Sequence, residues 1–396
     1  RRPLYTLTLL FTRKLEMKNR LVPVVLAVCA AVSLSACTPP MPPEFKADLA
    51  EKYVTCVDGP ISVSAVAEMI DVAQQWVDGY QESCPNASPA LVDSATPADV
   101  RLLPSGTSLD CPVTVSAPVA IDAAVVAISN QDSAGLVISP SVLYKMITGE
   151  ITSLGDAAIQ EINPDLELTD APFTFSLNAR QQDIDSLSTW MNRIDPAGWP
   201  STPSNLVAIP ALDDAALTTA FEADGTVAIV PLSYALLNSF PTANMQADEV
   251  AVSDGDSVIS ATTQMMSTTD GSVVTAQLDP SVAAEPAAGT STVIPPYQAL
   301  TSYALSGCGG ATEQAQRAFI RYALRLDSQG VVTTAGFTAV PEALRVDATT
   351  AVSQGLPEPT AQPTDASVPT EVPVTDAPTD MPTDAATDAA TPVPSE

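Results

Sequence analysis

The residues available for chemistry in this sequence are hydroxyls, amides, backbone N–H groups and a few arginines, because its 396 residues include no histidine. That absence excludes an imidazole-activated serine or cysteine nucleophile, a zinc site with histidine ligands and a histidine proton shuttle. With 16 Lys and Arg against 46 Asp and Glu, the formal charge of −30 has the wrong sign for a nucleic-acid surface. Hydroxyls, N–H groups and an arginine can still hold an anion.

Arg180 is the best placed of these groups. It follows a strand predicted over 173–177 and precedes a helix predicted to open at Asp185 and Ser186. In an open α/β sheet, ligands bind beyond the carboxyl ends of strands, where helix N-termini offer unpaired N–H donors. Arg180, Ser186, Ser188 and the N–H groups around Asp185 are therefore predicted to hold an anion. The alternative is a surface arginine paired with Asp183 or Asp185.

The elements that position this site alternate between helix and strand. An apolar face at helical spacing or a capping residue predicts helices over 63–80, 139–146, 156–162, 185–194, 213–222 and 312–326. Apolar runs predict strands over 119–128, 173–177, 205–209 and 227–231, and Asp-Gly turns predict hairpins over 249–260 and 262–276. This alternation predicts an α/β fold with a parallel sheet covered by helices.

The N-terminal segment has the pattern of an export signal. Met17 is followed by basic residues and then by an apolar run over 21–36, so residues 1–16 are interpreted as a misplaced start. The 16-residue run is shorter than the roughly 20 residues of a membrane-spanning helix. It ends in a sequence that resembles the bacterial lipobox, which predicts lipidation of Cys37 and a tether over 37–50. The alternative is an ordinary signal peptide that ends near a cysteine.

Loss of residues 1–36 makes the exported chain more acidic. It leaves 10 Lys and Arg against 45 Asp and Glu, a formal charge of −35. Such a charge keeps a protein soluble and repels it from an anionic membrane surface, apart from the lipid itself.

Four cysteines remain in the exported domain: Cys56, Cys84, Cys111 and Cys308. In an exported protein they predict two disulfides, with three possible connectivities. A metal cluster is the alternative, but no C-x-x-C spacing supports it. We favour Cys84 with Cys111 and Cys56 with Cys308, since the second bond would tie the N-terminal segment to the C-terminal one.

The C-terminal segment is predicted to be disordered. From Pro357 to Glu396 it consists mainly of Pro, Thr, Ala and Asp, with no aromatic and no basic residue, so it lacks the apolar surface needed for a core. We place the beginning of this tail at residue 348. Its eight acids lack the glycine-turned loop of a calcium site, which favours a solvated tail over a calcium-binding array.

Five segments occur in a characteristic order along the chain: 118–126, 143–154, 158–166, 225–234 and 336–341. They resemble, in this order, an apolar strand, a Thr-Gly-Glu-Ile-Thr turn, an Ile-x-x-x-Asn-Pro segment, a return strand and the ending of the PstS-type phosphate-binding receptors of bacterial ABC importers. The resemblance covers about Val113–Tyr234.

The resemblance implies a bilobal fold of the type II periplasmic-binding-protein class. Two α/β lobes are joined by two crossover strands and enclose a cleft that closes on the ligand, which then passes to a membrane permease. In this sequence the implied boundaries are 51–124 with 230–347 for lobe 1, and 125–229 for lobe 2.

The resemblance also implies a phosphate loop at the start of the helix that follows Arg180. Arg180 and Ser186 match the arginine and the threonine of the family's loop. Gln182 replaces the aspartate that pairs with the arginine, Ile184 replaces a serine that binds the ligand, and Asp185 replaces a glycine. A carboxylate at the helix N-terminus would repel phosphate by several kcal/mol at close range.

Two further loops complete the ligand set implied by the resemblance. The first anion loop corresponds to 58–64, with Gly59, Ser62 and Ser64 as candidates. The second aligns roughly with 99–107, where Ser105 and Thr107 would donate hydrogen bonds, but the family's aspartate that accepts the phosphate proton has no counterpart.

The leading hypothesis is a monomeric, lipid-anchored solute-binding protein on the extracellular face of the cell membrane. It would capture phosphate or a related small oxyanion for an ABC permease, with no cofactor and no catalysis. A degenerate receptor fold that acts as a surface scaffold or regulatory partner is the alternative. Glycoside hydrolysis by paired carboxylates is a third reading, but no pair stands out from the acidic background.

Overall fold

A computed structural model describes residues 51–129, 133–223, 225–286 and 291–357, with the side chain of Val207 left undescribed. The strands are β1 Gly59–Ala65, β2 Ala87–Leu91, β3 Val100–Pro104, β4 Val115–Ile128, β5 Val137–Ile138, β6 Thr174–Leu177, β7 Thr226–Pro231, β8 Thr242–Gln246, β9 Val250–Ala251, β10 Met265–Asp270, β11 Val273–Leu278 and β12 Leu300–Gly307. The α-helices are α1 Ile70–Ser83, α2 Pro140–Thr148, α3 Ala157–Ile162, α4 Gln181–Ile194, α5 Asp214–Phe221, α6 Leu232–Leu237, α7 Gly255–Thr262, α8 Glu313–Ala323, α9 Leu326–Thr334 and α10 Glu342–Val352.

Strand β4 passes through two separate hydrophobic cores, and all 14 of its residues are buried. Its residues up to Ile121 pack with β1, β3, β12 and α8 to α10, which we call lobe 1. From Ala123 onwards they pack with β6, β7, α2, α4 and α6, which we call lobe 2. An apolar strand that is covered on both faces explains the unbroken apolar run in the sequence.

Strand β12 crosses between the lobes beside β4. The two strands are antiparallel, and Leu300 pairs with Ala123 while Thr301 pairs with Asp122. Leu300 contacts both cores. The pair Asp122 and Thr301 therefore marks the junction between the lobes, and two strands cross there.

The sheet order in lobe 1 is β10-β11-β4-β12-β3-β1-β2, whereas β7 and β8 pair with the second half of β4. Parallel pairs join β1 to β2 and β3, and β6 to β7. The predicted α/β class is confirmed. The core of lobe 2 includes Leu232, Val258 and Tyr297, so it extends beyond residue 230, where lobe 1 was expected to resume.

Several predicted element boundaries are confirmed by the capping groups that set them. Ser139 accepts a hydrogen bond from the Val142 N–H at the start of α2. Asp156 and Asp213 cap α3 and α5 in the same way. The hairpin of β10 and β11 turns at Asp270 and Gly271, as the sequence predicted. Local side chain to backbone bonds of this kind depend only on neighbours in the sequence.

Other predictions were wrong where non-local pairing overrides the local pattern. Residues 63–65 belong to β1 and not to the first helix, because Val63 pairs with both Leu91 and Val100. The structure has a 3-10 turn at Leu206–Ala208 in place of the strand over 205–209, and helix α7 in place of the hairpin over 249–260. The helix predicted over 312–326 is α8, which ends earlier, at Ala323, and Gly330 lies inside the next helix, α9.

Helix α10 occupies the beginning of the segment that was predicted as a disordered tail. It continues to Val352, which is buried in the core of lobe 1, so the tail cannot begin at residue 348. The remainder from 358 onwards, like the signal peptide, the tether and Cys37, lies outside the described residues. In the described residues, no helix combines the length and apolar character needed to span a membrane.

The four cysteines form two disulfides, but the pairing that we favoured was wrong. Cys56 bonds to Cys84, which ties the segment before β1 to the end of α1. Cys111 bonds to Cys308, which ties the loop after β3 to the end of β12. The antiparallel register of β4 with β12 brings Val115 opposite Gly307, and this places Cys111, just before β4, close to Cys308.

We expect the disulfide between Cys111 and Cys308 to stabilise the fold more than the other. Its partners are 197 residues apart, against 28 for Cys56 and Cys84, so it removes more entropy from the unfolded chain. The loop-entropy relation gives roughly 5 and 3.5 kcal/mol. Urea unfolding of the two double Cys→Ala variants measures the difference. An equal or larger loss on removal of the bond between Cys56 and Cys84 contradicts it.

Candidate functional site

A cleft of about 490 Å³ lies between the two lobes, near the strands that cross between them. This volume is in the range of small-molecule sites in proteins. Both lobes contribute to its walls. The polar and aromatic lining includes Glu68, Asp71 and Phe337 from lobe 1, and Arg180, Asp214 and Tyr234 from lobe 2.

Local capping positions Arg180 at the cleft. It is the N-cap residue of α4, which begins at Gln181 and not at the predicted Asp185. The reason is Asp183, whose carboxylate accepts a hydrogen bond of 3.0 Å from the Arg180 backbone N–H. A carboxylate at this third helical position satisfies an N–H that would otherwise be unpaired, and thereby fixes the start of the helix.

The guanidinium of Arg180 is held by three side chains. Its Nη1 forms an ion pair with Glu68, Nη2 donates to the Tyr303 hydroxyl, and Nε lies 3.3 Å from Asp183 Oδ2. Its Cζ also lies 4.8 Å from the centre of the Tyr303 ring. Glu68 and Tyr303 belong to lobe 1, so these contacts join the lobes across the cleft.

Asp183 continues this network into the junction. It is 1% exposed, and it accepts a hydrogen bond of 2.7 Å from the Thr301 hydroxyl of β12. Burial raises the pKa of the Tyr303 hydroxyl well above its usual value, and the charges of Asp122 and Asp183 raise it further. Tyr303 is therefore a neutral donor at any physiological pH.

Asp122 is the second buried acid at the junction. Its carboxyl accepts from the Ser233 hydroxyl at 2.6 Å, the Ser233 N–H at 3.1 Å and the Ala123 N–H at 2.8 Å. Burial raises its pKa to about 7, against the effect of these hydrogen bonds, and the charge of Asp183 also raises it. In a chain with no histidine, Asp122 is thus a group that titrates near neutral pH.

The candidates of the first anion loop lie within β1 rather than in a loop. Gly59 begins the strand, about 20 Å along the chain from Ala65, after which the chain reaches the cleft. Ser62 donates to the Asp99 carboxylate at 2.6 Å, and Ser64 is buried within the sheet. None of the three lines the cleft.

The other candidates also lie outside the cleft, except Arg180. Ser105 and Thr107 form the turn after β3, where the Thr107 hydroxyl donates to the Pro104 carbonyl. Gln182 is exposed on α4, and the Ser186 hydroxyl donates to the Asp183 carbonyl one turn earlier. The acidic partners of Arg180 are Glu68 and Asp183, not the residue at position 182.

Glu68 is the cleft residue that the sequence analysis missed. It follows the carboxyl end of β1, just as Arg180 follows β6, so the rule that singled out Arg180 also applies to it. Assigning residues 63–65 to a helix concealed this strand end. Within the described residues, no group of acids and cysteines has the arrangement of a metal site.

Comparison with solved structures finds phosphate receptors of similar fold. PstS from Borrelia burgdorferi is 10% identical, with a TM-score of 0.41, over 72% of this chain and 100% of its own. An ABC-type phosphate transport receptor from Vibrio cholerae is 10% identical, with a TM-score of 0.44, over 71% and 99%. A high affinity periplasmic phosphate-binding protein, PfluDING, solved with phosphate, is 12% identical, with a TM-score of 0.47, over 73% and 92%.

The comparisons with family models and with curated proteins found no match. At these identities and TM-scores, the similarity carries no argument about the ligand.

We expect Asp122→Asn to flatten the dependence of stability on pH. The folded pKa of about 7 exceeds the unfolded value of about 3.9, so this group stabilises the fold below about pH 4, and that stabilisation is lost as pH rises through 7. Asparagine has the shape of the protonated acid and avoids the loss, which amounts to roughly 4 kcal/mol.

Urea unfolding at pH 5 and pH 8.5 measures this effect. The variant should gain stability relative to the wild type at the higher pH, whereas Asp165→Asn, at an exposed position, should follow the wild type. Parallel behaviour of Asp122→Asn and wild type at the two pH values contradicts the prediction.

Proposed function

We propose that this chain is a solute-binding protein that captures a small molecule in its interlobe cleft. The observation that carries the proposal is the position of the cleft, between two lobes that are joined by adjacent strands and that both line it. A site of this kind encloses its ligand when the lobes approach each other. The proposed role is binding and not catalysis.

Phosphate or a related small oxyanion is the ligand implied by the sequence resemblance, and phosphate is named for two of the similar solved structures. Arg180 supports this class, because a guanidinium at a helix N-terminus suits an oxyanion. Glu68 and Asp183 oppose it, since both place a carboxylate on the same guanidinium. The charge of the cleft therefore favours the capture of a small solute other than phosphate.

The cellular context follows from the sequence. The lipobox-like end of the signal segment would anchor the protein through Cys37 on the extracellular face of the membrane. A receptor tethered there would deliver its solute to an ABC permease as a monomer.

A surface scaffold or regulatory partner without a ligand is the second candidate. The paired state of Arg180 favours it, because the lobes already contact each other through Glu68 and Tyr303. This role requires no solute in the cleft, so detection of a bound solute separates the two functions.

We expect Ala211→Trp to abolish solute capture, because Ala211 lines the cleft and a tryptophan there fills it. Native mass spectrometry of freshly purified full chain should show a retained small molecule on the wild type and on Ala311→Trp, a matched change outside the cleft. A ligand at 100 times its Kd should also stabilise the wild type by about 2.7 kcal/mol. Wild-type protein with no retained molecule and no melting shift across a solute library favours the scaffold.

We expect Cys37→Ser to release the protein from the membrane, because the substitution removes the thiol that would carry the lipid. Cys29→Ser, which changes a cysteine inside the predicted signal peptide, should leave the protein anchored. Fractionation of cells that express each full chain measures the distribution. Membrane retention of Cys37→Ser at the wild-type level contradicts the anchor.

A further inference from the structure

Each nitrogen of the Arg180 guanidinium already has a hydrogen-bond partner. An arginine side chain presents its donors through three nitrogen atoms, and Nε, Nη1 and Nη2 of Arg180 are bonded to Asp183, Glu68 and Tyr303 respectively. Its side chain is 26% exposed. Three of its five N–H groups are thus engaged, and an oxyanion that bound through these groups would have to displace Asp183, Glu68 or Tyr303.

Glu68 has the geometry of an internal anion. It comes from the lobe opposite Arg180, pairs with Nη1, and lies 3.4 Å from the Tyr303 hydroxyl through the same carboxylate oxygen. An oxyanion bound between the lobes would use the same two donors, so the carboxylate of Glu68 already takes its place. If phosphate displaced it, two anions would lie close together and would repel each other.

The remaining charged residues of the cleft have the same sign. Asp71 lines it from lobe 1 and has no bonded partner among the described residues, while Asp214 lines it from lobe 2. The Asp214 carboxylate accepts a hydrogen bond of 2.8 Å from the Asn178 amide, which holds it in place without neutralising it. Arg180 is the only cation among the described lining residues. The lining therefore carries three carboxylates and one guanidinium, and that guanidinium is already paired.

The rest of the lining suits an organic cation. Tyr234 contributes an aromatic ring, and its hydroxyl is fixed by a hydrogen bond of 2.8 Å to the Asp214 carbonyl. Leu212 and Phe337 add apolar surface from opposite lobes. Carboxylates, an aromatic ring and apolar walls together match an ammonium group on a short carbon chain.

We infer that Glu68 determines the specificity of the cleft: its carboxylate occupies Arg180 as an internal anion, so the cleft excludes phosphate-like oxyanions and binds a small solute that carries a positive charge. This inference rests on the proposed function, because it assumes that the cleft binds a solute. Asp71 and Asp214, on opposite lobes, would then both attract the cation, which draws the lobes together.

Calorimetric titration of the purified full chain tests the inference, with inorganic phosphate and 1,4-diaminobutane as probes. The wild type should bind the diamine and give no heat with phosphate at millimolar concentration. Glu68→Ala should bind the diamine at least 10-fold more weakly and gain measurable phosphate binding, because one carboxylate is lost and Nη1 of Arg180 loses its partner. Glu161→Ala, at an exposed position on α3, should match the wild type for both probes.

Glu68→Gln keeps the shape of the side chain and guards against a folding defect in Glu68→Ala, and its affinities should change in the same directions. Micromolar phosphate binding by the wild type overturns the inference and leaves the proposed function standing. The inference is also overturned if the wild type and both Glu68 variants give the same heats of binding, or if none of them gives a heat of binding with either probe. Failure of the proposed function is seen separately, as the absence of any retained solute in the Ala211→Trp experiment.

Discussion

The continuous burial of β4 is the constraint on which the structure depends. One strand supplies the first half of its length to the core of lobe 1 and the second half to the core of lobe 2, so neither lobe can form its sheet without it. β12 runs antiparallel beside it across the same boundary. Because the cleft lies where these two strands leave one core and enter the other, its position follows from the packing of β4.

The polar side chains of Asp122 and Thr301 are buried at that crossing, because both residues lie on strands of the core. A core strand offers no route to water, so Asp122 and Thr301 must find partners within the protein. They find them in lobe 2, where Ser233 donates to Asp122 and Asp183 accepts from Thr301. Asp183 in turn holds Arg180. The residue that the sequence singles out for anion binding is therefore also part of the connection between the lobes.

Features with a local cause were predictable from the sequence, and features with a distant cause were not. The apolar run of β4, the cap Ser139 and the helix starts at Asp156 and Asp213 are visible in short segments, and they were predicted correctly. The ion pair of Arg180 with Glu68 spans 112 residues, and the second disulfide spans 197. No spacing in the sequence specifies such pairs, since the sheet order brings them together. Arg180 could be placed at the cleft and Asp183 could be named as a partner, but Glu68 and Tyr303 could not.

A rotation of one lobe against the other would affect the contacts between the lobes to different degrees. Those of Asp122 and Thr301 lie at the strands that join the lobes, where a rotation about the junction produces the smallest displacement. The ion pair of Glu68 and Arg180 lies in the wall of the cleft, where the same rotation separates its partners. Opening the cleft would therefore break the ion pair of Glu68 and Arg180, while the hydrogen bonds of Asp122 and Thr301 would persist. The ion pair that excludes an external anion is for the same reason the contact that favours a closed cleft.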